Sequence, residues 1–145
     1  MAVAARGEER HLTPRLRLTQ AVNMSSKIIH LTGRQVSPVR DGEGYAIMVD
    51  MDDQGSPVDL SQLNVFSREE GRVAVARLAS PELSTIVGKC AAIICETGGT
   101  LSHLAITMRE FGQCGVFGVK SATQIIKHGD HLLVDGELVT IIEEI

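Results

Sequence analysis

Ala91-Ala92-Ile93-Ile94-Cys95 is an apolar run with no polar break, stopped by Gly88-Lys89 on one side and Glu96-Thr97-Gly98-Gly99 on the other. Such a short run, apolar on both faces, needs cover above and below, so it reads as an internal strand. A helix is expected to follow from near Ser102, with Leu101, Leu104, Ala105, Met108 and Phe111 as its apolar stripe and Gly112 as its stop. Gly71-Arg72-Val73-Ala74-Val75-Ala76 reads as another strand. Ser80-Pro81-Glu82 then starts a helix that continues through Leu83, Ile86 and Val87. With Gly115-Val116-Phe117-Gly118-Val119 as a further strand, strands alternate with helices through residues 72–119. That order predicts a mixed α/β domain.

The flanks extend this pattern. Asp41-Gly42-Glu43-Gly44 reads as a turn before a strand over 45–49, and residues 50–64 read as an exposed acidic loop. Ser121 is expected to cap a short helix reaching Ile125-Ile126. His131-Leu132-Leu133-Val134, a tight Asp135-Gly136 turn and Leu138-Val139-Thr140-Ile141 form a hairpin. Residues 1–26 read as a poorly ordered basic arm, although 15–22 could add an edge strand, and residues 27–145 as one domain.

A chain of 145 residues fits one domain with a substantial core. No stretch approaches the ~20 apolar residues of a membrane helix, and the first twelve residues lack a signal peptide's apolar centre, so a cytoplasmic protein without membrane contact is expected. The net charge of -4 is uneven: residues 1–30 hold five Lys or Arg against two acidic residues, which leaves the remainder acidic. Nucleic acid is a poor partner for such a body. Cys90, Cys95 and Cys114 show no paired-ligand spacing and read as buried small hydrophobes.

Chemistry concentrates where the apolar strand opens into Thr97-Gly98-Gly99-Thr100-Leu101-Ser102-His103. The double glycine lets backbone approach a ligand and expose its N–H groups. Ser102 or Thr100 can cap the following helix, whose first free amides favour an anion. His103 falls where the strand's carboxyl end meets the helix's amino end. A neutral imidazole there is a good nucleophile near physiological pH, and a phosphoryl group on a ring nitrogen would gain hydrogen bonds from those amides. Ser102 could bond the phosphoryl oxygens, and Thr97 or Thr100 could hold the imidazole tautomer. A plain anion-binding turn is the competing reading. Glu96 either orients the imidazole or sits exposed. Arg109, six residues along the helix, faces away from His103. His128 and His131 beside Asp130 suggest a metal site only weakly, lacking a third ligand at convincing spacing.

These residues resemble the mobile, or swivelling, phosphohistidine domain of phosphoenolpyruvate-utilising enzymes. That family includes pyruvate phosphate dikinase, phosphoenolpyruvate synthase, enzyme I of the sugar phosphotransferase system and rifampicin phosphotransferases. The matching core is Thr97-Gly98-Gly99, Leu101-Ser102-His103, Ala105-Ile106, Arg109-Glu110, Gly112, Val116 and Gly118. Gly33, Ser37-Pro38, Gly129-Asp130 and Val134-Asp135-Gly136 extend it to about residues 28–143. The resemblance implies a three-layer β/β/α fold with His103 as the phosphorylated residue. Leu101 stands where the phosphotransferase-type enzymes and dikinases generally have Thr, as in the rifampicin phosphotransferase and synthase-like branch. Cys114, Gly115, Val39 and Val139 also depart from the family's Pro, Ala, Gly and Gly.

By resemblance, a nucleotide-binding domain of ATP-grasp type supplies phosphoryl to the histidine, and a separate domain passes it to pyruvate or another acceptor. No P-loop and no cluster of Mg²⁺ ligands is visible in this chain, so ATP and Mg²⁺ are expected on a partner, and no cofactor on the chain itself. The leading expectation is a phosphoryl carrier fed from ATP or phosphoenolpyruvate through partner domains or subunits. A relict swivelling domain that only binds a partner or ligand, and a metal-dependent hydrolase using His103, His128 and His131, are the alternatives.

Overall fold

A computed structural model describes residues 26–49 and 71–144. The readings that fall on 1–25 and 50–64, including the basic arm, the 15–22 edge strand and the acidic loop, lie outside the described residues. In chain order the elements are β1 (Ser26–Thr32), β2 (Arg34–Gln35), β3 (Asp41–Met48), β4 (Arg72–Ala76) and a 3₁₀ helix (Pro81–Ile86). There follow β5 (Ala92–Cys95), α1 (His103–Phe111), β6 (Gly115–Phe117), α2 (Ala122–Ile125), β7 (His131–Asp135) and β8 (Leu138–Glu144). No helix among the described residues is long and apolar enough to cross a membrane.

The strands form one sheet in the order β1-β8-β7-β3-β4-β5-β6-β2. Strands β3 to β6 run parallel, while β7, β8, β1 and β2 join antiparallel to their neighbours. β1 and β2 stand at opposite ends of this order, yet only Gly33 separates them in the chain. One residue spans about 3.8 Å, so the two ends of the sheet must meet and the sheet folds over on itself. Gly33 makes the seam possible: a Cβ there would lie 2.6 Å from the Phe117 carbonyl oxygen and 2.7 Å from the Val116 and Val119 side chains.

The folded sheet encloses one core, in which Val73, Val75, Ile94 and Val116 of the parallel strands join Leu132, Val134, Val139 and Ile141 of the hairpin. On the outer face of the parallel strands, Ala74, Ala76, Ile93 and Cys95 pack with Leu83, Ile86, Leu104, Ala105 and Met108 from the helices. Helices, parallel strands and antiparallel strands therefore make three layers, the expected β/β/α arrangement. Each fully buried Leu, Ile or Met contributes ~1.5–3 kcal/mol to holding them together. Gly115 belongs to this packing, because a Cβ there would lie 2.1 Å from the Met108 methyl. The absence of a side chain at Gly115 leaves that space to Met108.

Several expectations change. The predicted turn over 41–44 is the first half of β3. Its glycines serve close passage: a Cβ on Gly44 would lie 1.9 Å from the Gly71 carbonyl oxygen, and one on Gly42 would lie 2.5 Å from that of Ala91. The helix after Ser80-Pro81 is 3₁₀ and stops at Val87, before Gly88 at φ +85. Leu101 and Phe111, expected in the buried stripe of α1, are 85% and 63% exposed, so Leu104, Ala105 and Met108 alone carry its packing. Strand β6 ends at Phe117, ahead of Gly118 at φ +72. Ser121 takes a left-handed conformation and its side chain does not cap α2. The hairpin register pairs Asp135 with Leu138, which makes Gly136 and Glu137 the turn residues, one position later than expected.

Candidate functional site

The loop that leaves the carboxyl end of β5 is fixed at its root. Glu96 N–H donates to the Ala76 carbonyl at 3.1 Å, and Thr97 N–H and Oγ1 both donate to the Arg77 carbonyl at 3.0 Å. The Thr97 hydroxyl proton is thus committed to the neighbouring loop rather than to an imidazole. Gly98 follows at φ +112, where an added Cβ would also lie 2.5 Å from that of Ala79; only glycine enters this corner without strain. Gly99 differs, since an added Cβ would meet nothing nearer than the Leu101 nitrogen at 4.0 Å.

Ser102 closes the loop and opens the helix. Its N–H donates to Gly99 O at 3.1 Å, and its Oγ accepts from Ala105 N–H at 3.3 Å from an extended N-cap conformation. His103 is the first residue of α1, with its side chain exposed. Its carbonyl accepts the Thr107 hydroxyl at 3.0 Å, while its ring meets no hydrogen-bond partner among the described residues. The backbone N–H groups of Gly98, Gly99, Thr100, Leu101, His103 and Leu104 likewise have no acceptor among the described residues. Six open donors at the amino end of a nine-residue helix favour an anion beside the imidazole.

The other singled-out residues sit elsewhere. The carboxylate of Glu96 accepts from Thr123 N–H at 3.1 Å and from the Thr123 hydroxyl, so it neither orients the imidazole nor stands free. Arg109 Nη1 donates to the Val36 carbonyl at 3.2 Å, away from His103. His131 Nε2 pairs with Glu43 Oε2 at 2.8 Å, and its ring lies 5.2 Å from that of Tyr45. Among the described residues no three His, Cys, Asp or Glu side chains gather as metal ligands. Cys90, Cys95 and Cys114 are buried free thiols, and burial pushes Cys90 and Cys114 up to about 12. Ala79, Thr123 and Gln113 escaped the sequence reading, because each acts on residues far from it along the chain.

The model of the PEP-utilising enzyme mobile domain matches residues 68–138, a stretch that holds the whole of this loop and helix. Residues 68–138 belong to the PEP-utilising enzyme mobile-domain family. Relatives of the mobile domain include the probable phosphoenolpyruvate synthase of Pyrococcus abyssi, 43% identical over 68 residues, 47% of this chain and 8% of that protein. The probable phosphoenolpyruvate synthase of Archaeoglobus fulgidus is 36% identical over 80 residues, 55% of this chain and 11% of that protein. The uncharacterized phosphotransferase YvkC of Bacillus subtilis is 40% identical over 74 residues, 50% and 9% of the two chains. The mobile domain thus matches about a tenth of each relative's length. Among solved structures, Thermococcus kodakaraensis aconitase X in its holo-form superposes with a TM-score of 0.53 over 79% of this chain and 99% of that one. At 19% identity it attests the fold alone.

Proposed function

We propose that this mobile domain carries a phosphoryl group on His103. The observation that carries the reading is an exposed imidazole on the first residue of α1, beside a loop with six open backbone donors. A ring nitrogen of neutral His103 attacks the phosphorus of ATP or phosphoenolpyruvate. The donor's P–O bond breaks, its electron pair leaves with ADP or enolpyruvate, and a P–N bond forms. The second half-reaction reverses the bonding: an acceptor oxygen, on pyruvate or another compound, takes the phosphorus and the P–N bond breaks. Amides 98–101, 103 and 104 hold the phosphoryl oxygens, and Ser102, whose oxygen is engaged as the cap, retains its hydroxyl proton for the same task.

Donor and acceptor sites belong to partner domains or subunits in this reading, the donor being nucleotide-binding of ATP-grasp type with its Mg²⁺, or phosphoenolpyruvate-dependent. The relatives named as phosphoenolpyruvate synthases, about ten times longer than the matched stretch, support that division of labour. Incubation of the 145-residue chain with radiolabelled ATP or phosphoenolpyruvate and a lysate of the source cell tests it. One acid-labile, base-stable phosphoryl group per chain is expected, and none on His103→Ala. Absence of label in a lysate that phosphorylates a known carrier would instead favour a module that only binds.

A further inference from the structure

We propose that Glu96 and Thr123 form a clasp that positions the His103 loop for phosphoryl transfer, a role that rests on the carrier reading above. The loop has two sides at its root. Toward β4 it is held by backbone, through Glu96 N–H on Ala76 O and Thr97 N–H on Arg77 O. Toward β6 Val119 N–H donates to Cys95 O at 3.1 Å, and the Glu96 carboxylate accepts both the N–H and the hydroxyl of Thr123. Beyond Thr97 no amide up to Leu101 is paired among the described residues, so the clamped root and the Ser102 cap set the course of the loop between them.

Thr123 makes a fixed post. Its neighbours Ala122 and Ile126 are 0% and 2% exposed within the core between the sheet layers. Ser121 leaves α2 without a side-chain cap, so the carboxylate from 27 residues upstream takes the open N–H of this short helix. Bonds to an ionised acceptor are shorter and about twice as strong as neutral ones. The clasp also keeps a negative charge bound at α2, where a released carboxylate in the loop would repel an incoming phosphoryl dianion. Glu96 and Thr123 are therefore positioning residues, acting through the loop rather than touching phosphorus.

The test uses potassium phosphoramidate, which phosphorylates histidine without an enzyme. Its P–N bond breaks, the P–N bond to His103 forms, and ammonia leaves with the imidazole proton. Rates are measured on the full chain well below the thermal midpoint of each variant, together with that midpoint. Glu96→Ala is expected to slow His103 phosphorylation by ~10-fold or more, since small misplacements of a reacting group cost up to ~100-fold. Glu96→Gln, which keeps the acceptor oxygen, should stay within ~3-fold of wild type, and Thr123→Val, which keeps the N–H, should fall between. Glu96→Ala with Thr123→Val should be no slower than Glu96→Ala alone, as for partners in one interaction. Lowered midpoints with wild-type rates in every variant, or losses that multiply in the double variant, would overturn the clasp. A wild-type His103 that takes no phosphoryl group would remove the carrier reading, and the clasp's role with it.

Discussion

The two ends of β5 and β6 are built to opposite specifications. At their amino end a buried side chain ties the backbone together: Gln113, 2% exposed, donates from Nε2 to Cys90 O at 3.0 Å and Cys114 O at 3.1 Å, and its Oε1 accepts Gly88 N–H at 2.8 Å. Beside it lies a small cavity of about 250 Å³ lined by Val39, Cys90, Ala91, Gly112, Gln113 and Cys114. At the carboxyl end the loop over 98–104 keeps six amides open among the described residues and leaves His103 exposed. Buried polar groups are normally paired, so one end reads as the anchor of the fold. The other end leaves its donors for a ligand to fill.

The largest expected effect falls on the anchored end. Gln113→Ala removes the Oε1 acceptor of Gly88 N–H and the Nε2 donor to the Cys90 and Cys114 carbonyls, of which Cys114 O keeps Ile93 N–H at 3.0 Å, and should lower unfolding free energy by ~3 kcal/mol in urea titration. Phosphorylation per folded molecule should be unchanged; a parallel loss of phosphorylation would blur the division between the two ends.

Next come the two glycines of the open end, which should respond differently. Gly98→Ala forces a side chain into φ +112 and against Ala79, at a cost of ~1–3 kcal/mol, and lowers both the thermal midpoint and phosphorylation. Gly99→Ala has room in the free chain, so its midpoint should match wild type while phosphorylation slows as the methyl crowds the phosphoryl group. Full phosphorylation of Gly99→Ala would show that the amide cradle lies elsewhere.

The last effect is alkaline and absent at neutral pH. Burial pushes the Cys90 and Cys114 thiols from 9.0 up to about 12, so they stay protonated in the folded chain while the unfolded chain releases those protons first. Stability therefore holds below pH about 9 and declines as pH rises from about 9 toward 12, and Cys90→Ala or Cys114→Ala should flatten that decline. Urea midpoints across that range provide the check.

What was legible in the sequence is what lies close together in it. The run over 91–95, the glycine stop at 112 and the hairpin each rest on neighbouring residues, and so does the stretch from Thr97 to His103. What stayed hidden joins distant residues: Glu96 with Thr123, Gln113 with Gly88 and Cys90, and Gly44 with Gly71. The glycines over 41–44 carried the composition of a turn, and only the backbone passing beside them explains their place in a strand. The exposure of Leu101 and Phe111 was hidden for a related reason, since helical period states which side a residue faces but not whether anything stands opposite.

The most direct test is to locate the label. After phosphorylation in the source lysate with radiolabelled ATP or phosphoenolpyruvate, tryptic digestion at high pH releases residues 90–109, whose one histidine is His103. The carrier account predicts acid-labile label in that peptide alone. Label on a peptide carrying His128 or His131, or label that survives acid, would contradict it.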